Sequence, residues 1–302
     1  MKLKNYEELC EIVGGESVWK DEPMKKHTTF RIGGPADYFV TPHTSREVSE
    51  VIRLCREAQI PWYILGNGSN LLVSDKGYRG VIIQLFKNFN EVVVEDTCIC
   101  AQAGAQNSVI AKRALEAELT GFEFAAGIPG TMGGAVVMNA GAYGGDIKDV
   151  LEEVTVLDEN QEILTLPKEK LELGYRTSII AKKQYVVLEA KLRLAKGEAQ
   201  AIRARMEELK ELRVTKQPLE YPSAGSTFKR PEGYFAGKLI MDAGLRGFSV
   251  GGAQVSEKHC GFVINKGDAT AEDVDLLMKE VSRRVMEKFG VRVEPEVKRL
   301  GE

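Results

Sequence analysis

The sequence lacks a charge imbalance, long apolar runs and a secretory leader pattern, and each absence excludes a class of protein. Its 41 Lys and Arg residues against 44 Asp and Glu residues leave a net charge of -3, whereas nucleic-acid-binding proteins normally carry a basic excess or a basic face. No run of about 18 apolar residues occurs, so we expect neither a transmembrane helix nor membrane insertion. The polar N-terminal stretch has no apolar core of the secretory type, which favours a cytoplasmic protein.

Cysteine is also sparse, and its spacing predicts reduced thiols rather than disulfides or a metal site. The five cysteines are odd in number and scattered along the chain, as is usual in a reducing compartment. Cys98 and Cys100 are two residues apart, so a strand would place both on one face. Because no second cysteine pair or nearby histidine completes a ligand set, we expect no bound metal.

Helical and strand-like patterns alternate irregularly along the 302 residues, which predicts an α+β fold rather than a regular parallel array. The most clearly marked helix runs from Ala271 to Phe289, with Thr270 as its N-cap and Gly290 at its end. We expect residues 91–104 and 291–300 each to form one strand.

The composition of the sequence changes after the charged helix that we expect at about residues 198–214. Residues 215–233 ("TKQPLEYPSAGSTFKRPEG") contain three prolines and are predicted to form a loop. We therefore expect a domain boundary near Val214 to Pro218.

Glycine is concentrated in the stretch "AAGIPGTMGGAVVMNAGAYGG", residues 125–145, where seven of 21 residues are glycine. A second loop, "LGNGSNLL", covers residues 65–72. Glycine permits positive φ and close approach of the backbone to a ligand, and successive N–H groups in such turns bind anions. Neither loop has the spacing of a dinucleotide fingerprint or a P-loop. A phosphate or diphosphate site is the functional interpretation, and tight turns between strands are the structural alternative.

Seven motifs, spread from about residue 27 to residue 297, carry a resemblance to a known family. They are "HTTFRIGGPADYFV", "LGNGSNLLVSD", "GIPGTMGGAVVMNAGAYGGD", "GYRTS", "SAGSTFKRP", "SEKHCGFVIN" and "EPEV". In this order they resemble the UDP-N-acetylenolpyruvoylglucosamine reductase (MurB) family of peptidoglycan synthesis. The resemblance implies non-covalent FAD bound between two α+β subdomains of the PCMH/vanillyl-alcohol-oxidase-like fold, followed by an α+β substrate domain. We place these domains at residues 1–78, 79–214 and 215–302, with the C-terminal strand returning to the active site.

The resemblance also implies the reaction and its partners. NADPH passes a hydride to FAD, and reduced FAD passes it to C3 of the enolpyruvyl group of UDP-N-acetylglucosamine enolpyruvate. A proton then reaches C2, which gives UDP-N-acetylmuramate. We expect a monomer or a weak oligomer.

Motif matching assigns three catalytic residues. Arg176 in "GYRTS" would hold the substrate carboxylate and stabilise the enolate, because a guanidinium pairs with a carboxylate and stays charged. Ser226 in "SAGSTFKRP" would donate the proton to C2. Glu296 in "EPEV" would act with Arg176 at the carboxylate, and Pro295 makes regular strand pairing there unlikely.

The remaining assignments follow from the same motifs. For FAD we assign Gly66, Asn67, Gly68, Ser69, Asn70, Gly130, Thr131, Gly133, Gly134 and Asn139. For the substrate we assign Tyr143, Tyr175, Lys229, Arg230 and His259.

One departure from the longer members of the family affects the substrate pocket. After Arg176 the chain passes directly into a strand, without the inserted loop whose tyrosine folds over bound substrate, and so resembles the shorter subgroup. Two alternatives remain open: an oxygen-using FAD oxidase of the same fold, and a nucleotide-sugar-binding protein without catalysis.

Overall fold

The computed structural model describes residues 2–302, with side chains described from Asn5 onwards. No helix within this part of the chain is both long and apolar enough to cross a membrane. The α-helices of the described residues are α1 (Lys2–Val13), α2 (Ser45–Glu57), α3 (Asn107–Glu116), α4 (Met132–Val137), α5 (Ile147–Val150), α6 (Ile179–Lys183), α7 (Ala199–Lys216), α8 (Ala236–Asp242) and α9 (Ala271–Phe289).

The strands are short and are distributed along the whole described chain. In order they are β1 (Val18–Pro23), β2 (Pro35–Val40), β3 (Trp62–Leu65), β4 (Leu71–Val73), β5 (Tyr78–Gln84), β6 (Val92–Glu95), β7 (Cys98–Gln102), β8 (Leu119–Thr120), β9 (Gly141–Ala142), β10 (Gly145–Asp146), β11 (Leu151–Leu157), β12 (Ile163–Pro167), β13 (Val186–Arg193), β14 (Ala195–Lys196), β15 (Ser223–Ser226), β16 (Ser249–Val250), β17 (Ala253–Val255), β18 (Phe262–Asn265) and β19 (Lys298–Leu300).

The chain divides into two compact units that are not continuous in sequence. Unit 1 consists of Met1–Trp19, Tyr38–Asn67 and Gly80–Leu212, and unit 2 of Lys20–Asp37, Gly68–Arg79 and Arg213–Glu302. The last division falls inside α7, close to the boundary expected near residue 214. The three-domain organisation remains a prediction.

The core of unit 1 is built on a five-stranded antiparallel sheet of order β12-β11-β13-β7-β6. Helices α3 and α4 pack against this sheet, and its inward side chains, such as Ile99 and Ala101 of β7, are buried. Cys98 and Cys100 alternate with them and share the outer face, as predicted. The single strand expected at residues 91–104 is wrong, because Asp96 takes a φ of 51° and turns the chain into the β6–β7 hairpin.

The glycine-rich stretch of unit 1 contains more regular structure than its composition suggests. It includes the short helix α4 and the hairpin β9–β10. Tyr143 and Gly144 connect the two strands, with φ values of 52° and 89°. Positive φ at both turn residues is the geometry of a type I′ hairpin, which explains the glycine at one of the two positions.

Unit 2 contains an antiparallel sheet of order β15-β18-β17-β16, against which α9 packs. Helix α9 begins and ends as predicted: the Thr270 hydroxyl accepts from the Asp273 N–H, and Gly290 closes the helix with φ 67°. The prediction of an unbroken loop at residues 215–233 is wrong. The part carrying Ser226 forms β15, which pairs with β18 through an irregular register around Gly225.

The C-terminal segment of unit 2 pairs with two parts of the chain that are distant in sequence. Strand β19 runs parallel to β4, and Pro295 forms an isolated antiparallel bridge with Phe228. The continuous strand expected at residues 291–300 is therefore wrong. The hydrogen bonds of this bridge are donated by the N–H groups of Lys229 and Glu296, so the missing proline N–H is not needed there. The chain then changes partner and pairs with β4 from Lys298 onwards.

Asp75 provides a test of how unit 2 is held together. Its carboxylate accepts from the N–H groups of Ala271 (2.8 Å) and Glu272 (3.1 Å) in the first turn of α9. We expect Asp75→Ala to lower the free energy of unfolding by about 1–2 kcal/mol, since two helix N–H groups lose a charged acceptor. Urea denaturation measures this change. Glu232→Ala, at an exposed position, is the control, and an equal loss in both variants would show that the cap contributes nothing specific.

Candidate active site

The two glycine-rich loops meet within unit 1. A Cβ atom placed on Gly66 would lie 2.4 Å from the Thr131 hydroxyl oxygen, so this contact requires glycine. The Asn67 side-chain N–H donates to the carbonyl oxygen of Pro129 at 3.5 Å. The structure therefore brings together the starts of the two predicted cofactor loops.

Backbone N–H groups remain available in both loops. Gly68 has φ 62°, and within the described chain the N–H groups of Asn67, Gly68 and Ser69 donate no hydrogen bond. Consecutive N–H groups around a left-handed residue form a concave anion site. The structure therefore retains three consecutive donors of the kind that a diphosphate requires.

Helix α4 contributes a smaller set of donors than the glycine count suggests. The N–H groups of Met132 and Gly133 already donate to Ala105 and Ala103 at 2.8 Å. Those of Thr131 and Gly134 have no backbone acceptor among the described residues. Gly133 serves close packing instead, because a Cβ there would lie 2.9 Å from the Cβ of Ala103.

Asn139 is buried, and its amide is occupied by the protein itself. Its Nδ2 donates to the Gly174 carbonyl oxygen at 3.1 Å, and its Oδ1 accepts from the Lys148 N–H at 2.9 Å. Its own φ is 43°. Asn139 thus ties the glycine-rich stretch to the segment that carries Arg176, and direct contact with the cofactor remains a prediction.

Arg176 lies at the tip of a tight turn in unit 1. Gly174 and Thr177 pair across this turn, and Arg176 has φ 55°. Its guanidinium lies over the ring of Tyr175 at 5.1 Å and donates to the Gly141 carbonyl oxygen at 3.5 Å. A non-glycine residue in the left-handed region is uncommon and is often found at functional sites.

Ser226 and Glu296 come together in unit 2 although 70 residues separate them in sequence. The Glu296 N–H donates to the carbonyl oxygen of Thr227 at 2.8 Å, and the Lys229 N–H donates to that of Glu294 at 2.8 Å. Thr227 is fully buried, and its hydroxyl accepts from the Val263 N–H at 2.8 Å. Ser226 is exposed, and its hydroxyl makes no hydrogen bond with another described residue.

The cofactor loop also reaches Glu296 within unit 2. The Asn70 side-chain Nδ2 donates to the Glu296 carbonyl oxygen at 3.3 Å, and the Asn70 carbonyl oxygen accepts from the Lys298 N–H at 3.0 Å. Two predicted groups of site residues, the cofactor loop and the catalytic pair Ser226 and Glu296, are therefore connected in this unit.

Two cations of unit 2 follow Ser226 along the chain. Lys229 pairs with Glu294 at 3.4 Å. Arg230 lies 4.0 Å from the ring centre of Phe235, whose side chain is 61% exposed. A guanidinium over an exposed aromatic ring is kept at the surface, where an anionic group can reach it.

His259 lies beside the glycine pair Gly237 and Gly261 in unit 2. Its Nδ1 accepts from the Gly261 N–H at 3.1 Å, and its ring packs edge-on against Phe262. Burial lowers the pKa of the imidazole. Because Nδ1 is an acceptor, the neutral ring carries its proton on Nε2 and can donate from there.

Two protein-family models match this chain, one in its N-terminal half and one at its C-terminal end. Residues 36–167 match an FAD binding domain, and residues 217–300 match the C-terminal domain of UDP-N-acetylenolpyruvoylglucosamine reductase. The reductase of Agathobacter rectalis is 58% identical over 94% of each chain, and that of Caldanaerobacter subterraneus subsp. tengcongensis is 55% identical over 98% of each. The chain belongs to the UDP-N-acetylenolpyruvoylglucosamine reductase (MurB) family.

A solved structure agrees with this assignment. The reductase of Thermus caldophilus superposes with a TM-score of 0.80 at 35% identity, covering 93% of this chain and 98% of that one. The predicted α+β fold with an FAD-binding part and a C-terminal domain is confirmed. The chain is a flavoprotein oxidoreductase with FAD as its cofactor. Within unit 1, the N–H groups of Thr131 and Gly134 are donors of the kind that an FAD diphosphate accepts, and the individual FAD contacts remain predictions.

The sequence analysis did not identify the residues that hold the segments of Ser226 and Glu296 together. The sequence did not indicate the role of Thr227, because nothing in the motif shows whether its side chain is buried or exposed. The link from Asn70 to Glu296 depends on long-range pairing, which one sequence does not reveal. The one usable signal was Pro295, whose lack of an N–H indicated an interrupted strand.

The close contact between Gly66 and Thr131 predicts the effect of adding a methyl group at residue 66. We expect Gly66→Ala to weaken FAD binding at least about tenfold, because the new methyl group would overlap the Thr131 hydroxyl and push the loops apart. Fluorescence titration of the apoprotein with FAD measures this affinity. Gly15→Ala is the matched control, since a Cβ there meets no atom within 4 Å. Equal affinities in the two variants would contradict the close approach.

The environment of His259 predicts a dependence of stability on pH. Because the pKa is lower in the folded state, the unfolded chain takes up the proton first as the pH falls. Stability is then lost as the pH falls through the unfolded pKa of about 6.5. We expect urea denaturation at pH 7.5 and 5.5 to show a larger loss in the wild type than in His259→Asn, which keeps an acceptor near Nδ1. Identical losses would contradict this assignment.

Proposed function

We propose that the protein catalyses the NADPH-dependent reduction of UDP-N-acetylglucosamine enolpyruvate to UDP-N-acetylmuramate. The observation that carries this proposal is the hydrogen bond from the Glu296 N–H to Thr227, the residue after Ser226, together with the adjacent Phe228–Pro295 bridge in unit 2. A flavin oxidase of small alcohols has no need of a proton donor and a carboxyl group held in this way. The family relationship supplies the substrate class.

In the proposed reaction, FAD would supply the hydride chemistry and the protein would bind and orient the reactants. FAD, once bound, supplies the hydride chemistry, taking a hydride from NADPH and passing it to the substrate. The loop at residues 66–70, together with Thr131 and Gly134, would hold its diphosphate through backbone N–H groups. Gly130, whose own N–H donates to the Ile128 carbonyl oxygen at 2.8 Å, would allow close approach of the backbone instead. The protein must then position the enolpyruvyl group and stabilise the charge that develops on it.

Arg176 is proposed to bind the carboxylate of the enolpyruvyl group. Addition of hydride at C3 moves negative charge from C2 into this carboxylate, so a fixed cation there stabilises the enolate. The left-handed turn and the contacts with Gly141 and Tyr175 restrict where the guanidinium can go. An arginine suits the role because its charge does not depend on pH in the working range.

Ser226 is proposed to hold the proton that is delivered from its Oγ to C2. A serine hydroxyl is a weak acid, so it donates only to a strongly basic centre such as the developing carbanion. Gly225 before it has φ 73°, and a Cβ atom placed on Gly225 would meet no atom within 4 Å. Glycine is therefore required there by the backbone conformation rather than by space, and the irregular register at Gly225 precedes Ser226, which pairs with Phe262.

Glu296 is proposed to act at the carboxylate end of the same group. Its main-chain N–H is fixed by Thr227 and its carbonyl oxygen by Asn70. Its carboxyl group would act together with Arg176 on the carboxylate of the enolpyruvyl group.

The rest of the substrate would be held by the second group of predicted residues. Lys229 and Arg230 are proposed to bind the UDP diphosphate, Tyr143 and Tyr175 the sugar side, and His259 a substrate acceptor through Nε2–H. We also propose a cytoplasmic location and a monomeric or weakly oligomeric state.

A direct experiment tests the proposed reaction. The purified protein should show a yellow flavin spectrum and should oxidise NADPH, followed at 340 nm, only when UDP-N-acetylglucosamine enolpyruvate is present. A yellow protein that consumes NADPH equally without this substrate, in proportion to oxygen, would instead be an oxidase. A colourless protein that binds no added FAD would overturn the flavoenzyme assignment.

Ser226→Ala separates the two half-reactions. We expect reduction of the flavin by NADPH to proceed at the normal rate, while reoxidation by the substrate slows by about 10²–10⁴-fold, because a general acid contributes on that scale. Stopped-flow absorbance at the flavin band measures both rates. Ser223→Ala, three residues earlier in the same strand, is the matched control. Normal reoxidation in Ser226→Ala would show that another group supplies the proton.

A further inference from the structure

Asn70 occupies an unusual place for a residue of a cofactor loop. It is the last residue before β4, and it makes two hydrogen bonds to the C-terminal segment of unit 2. Its side-chain Nδ2 donates to the Glu296 carbonyl oxygen at 3.3 Å. Its carbonyl oxygen accepts from the Lys298 N–H at 3.0 Å. These two bonds enclose Val297, whose side chain is 8% exposed.

Glu296 is thereby held on both of its main-chain polar groups. Its N–H donates to Thr227 at 2.8 Å, and its carbonyl oxygen receives the Asn70 amide. Pro295 lies directly before it and cannot contribute an N–H to a sheet ladder. In place of a regular ladder, one side chain from the loop at residues 66–70 fixes the peptide that follows Glu296.

We propose that Asn70 is a positioning residue for Glu296, in addition to belonging to the loop that binds FAD. This inference rests on the proposed role of Glu296 in substrate reduction. The amide of Asn70 donates to a carbonyl oxygen, which alanine cannot do, and an aspartate would place an oxygen against that oxygen. A shift of about 1 Å in a catalytic group reduces rates by up to a hundredfold.

The proposal makes a different prediction from a role in cofactor binding alone. A cofactor ligand affects FAD affinity and both half-reactions together. A residue that acts through Glu296 affects only the half-reaction in which Glu296 takes part. The two roles are therefore separable by kinetics on the FAD-loaded protein.

The experiment compares Asn70→Ala and Asn70→Asp with Asn90→Ala, a control at an exposed asparagine outside the site, whose amide donates to the carbonyl oxygens of Phe86 and Lys87. Each FAD-saturated protein is reduced by NADPH and then mixed, without oxygen, with UDP-N-acetylglucosamine enolpyruvate. We expect both Asn70 variants to be reduced within about twofold of the wild-type rate and reoxidised about ten to a hundred times more slowly. The Asn90 variant should show no loss in either half-reaction.

A double-mutant comparison shows whether the slower reoxidation of the Asn70 variants is transmitted through Glu296. If Asn70 acts through Glu296, Glu296→Gln combined with Asn70→Ala should reoxidise no more slowly than Glu296→Gln alone. Multiplicative losses, equal losses in both half-reactions, or normal reoxidation in both Asn70 variants would overturn the inference. A wild-type protein that the substrate cannot reoxidise would overturn the proposed function itself, and the inference with it.

Discussion

The arrangement of unit 2 depends on where its C-terminal segment is paired. Glu296 donates to Thr227 on one side, and Lys298 donates to Asn70 on the other. These bonds join the beginning of β4, the region after β15 and the end of the chain, three parts that are far apart in sequence. Without them, Ser226 and Glu296 would lie on unrelated segments, so the proposed chemistry depends on this backbone pairing before it depends on any side chain.

A second constraint operates in unit 1, where an unusual backbone conformation fixes the positions of several predicted site residues. Asn139, Tyr143 and Arg176 are all non-glycine residues with positive φ. Each sits next to a segment that the family motifs mark as functional. Such conformations cost free energy and persist only where the surroundings enforce them. The Asn139 amide, which bonds to both Gly174 and Lys148, is one such support.

Local signals in the sequence predicted local structure well. Thr270, Gly290 and the apolar spacing between them predicted α9, and the alternation around Cys98 and Cys100 predicted their common face. The errors arose where tertiary pairing outweighed local pattern. Residues 223–226 look like a loop, yet they form β15 because β18 offers an edge to pair with.

The motifs predicted which residues belong to the candidate site but not the contacts that hold those residues in place. Motif order led to Arg176, Ser226 and Glu296, whose catalytic roles belong to the proposed function. The supporting contacts of Thr227 and Asn70 were not predictable, because they arise from pairing between segments more than 60 residues apart. The glycine-rich stretch has fewer available donors than its composition suggests, since the N–H groups of Met132 and Gly133 donate to the protein's own carbonyl groups. Its role as an anion site remains a prediction.

The central claim is that Arg176, Ser226 and Glu296 act on one enolpyruvyl group. A crystal structure of the oxidised, FAD-loaded enzyme with UDP-N-acetylglucosamine enolpyruvate bound tests this most directly. The account predicts the substrate carboxylate within hydrogen-bond distance, about 3 Å, of both Arg176 and Glu296, with the Ser226 hydroxyl facing C2. A bound substrate whose C2 is out of reach of Ser226, or whose carboxylate is held by other residues, would contradict it.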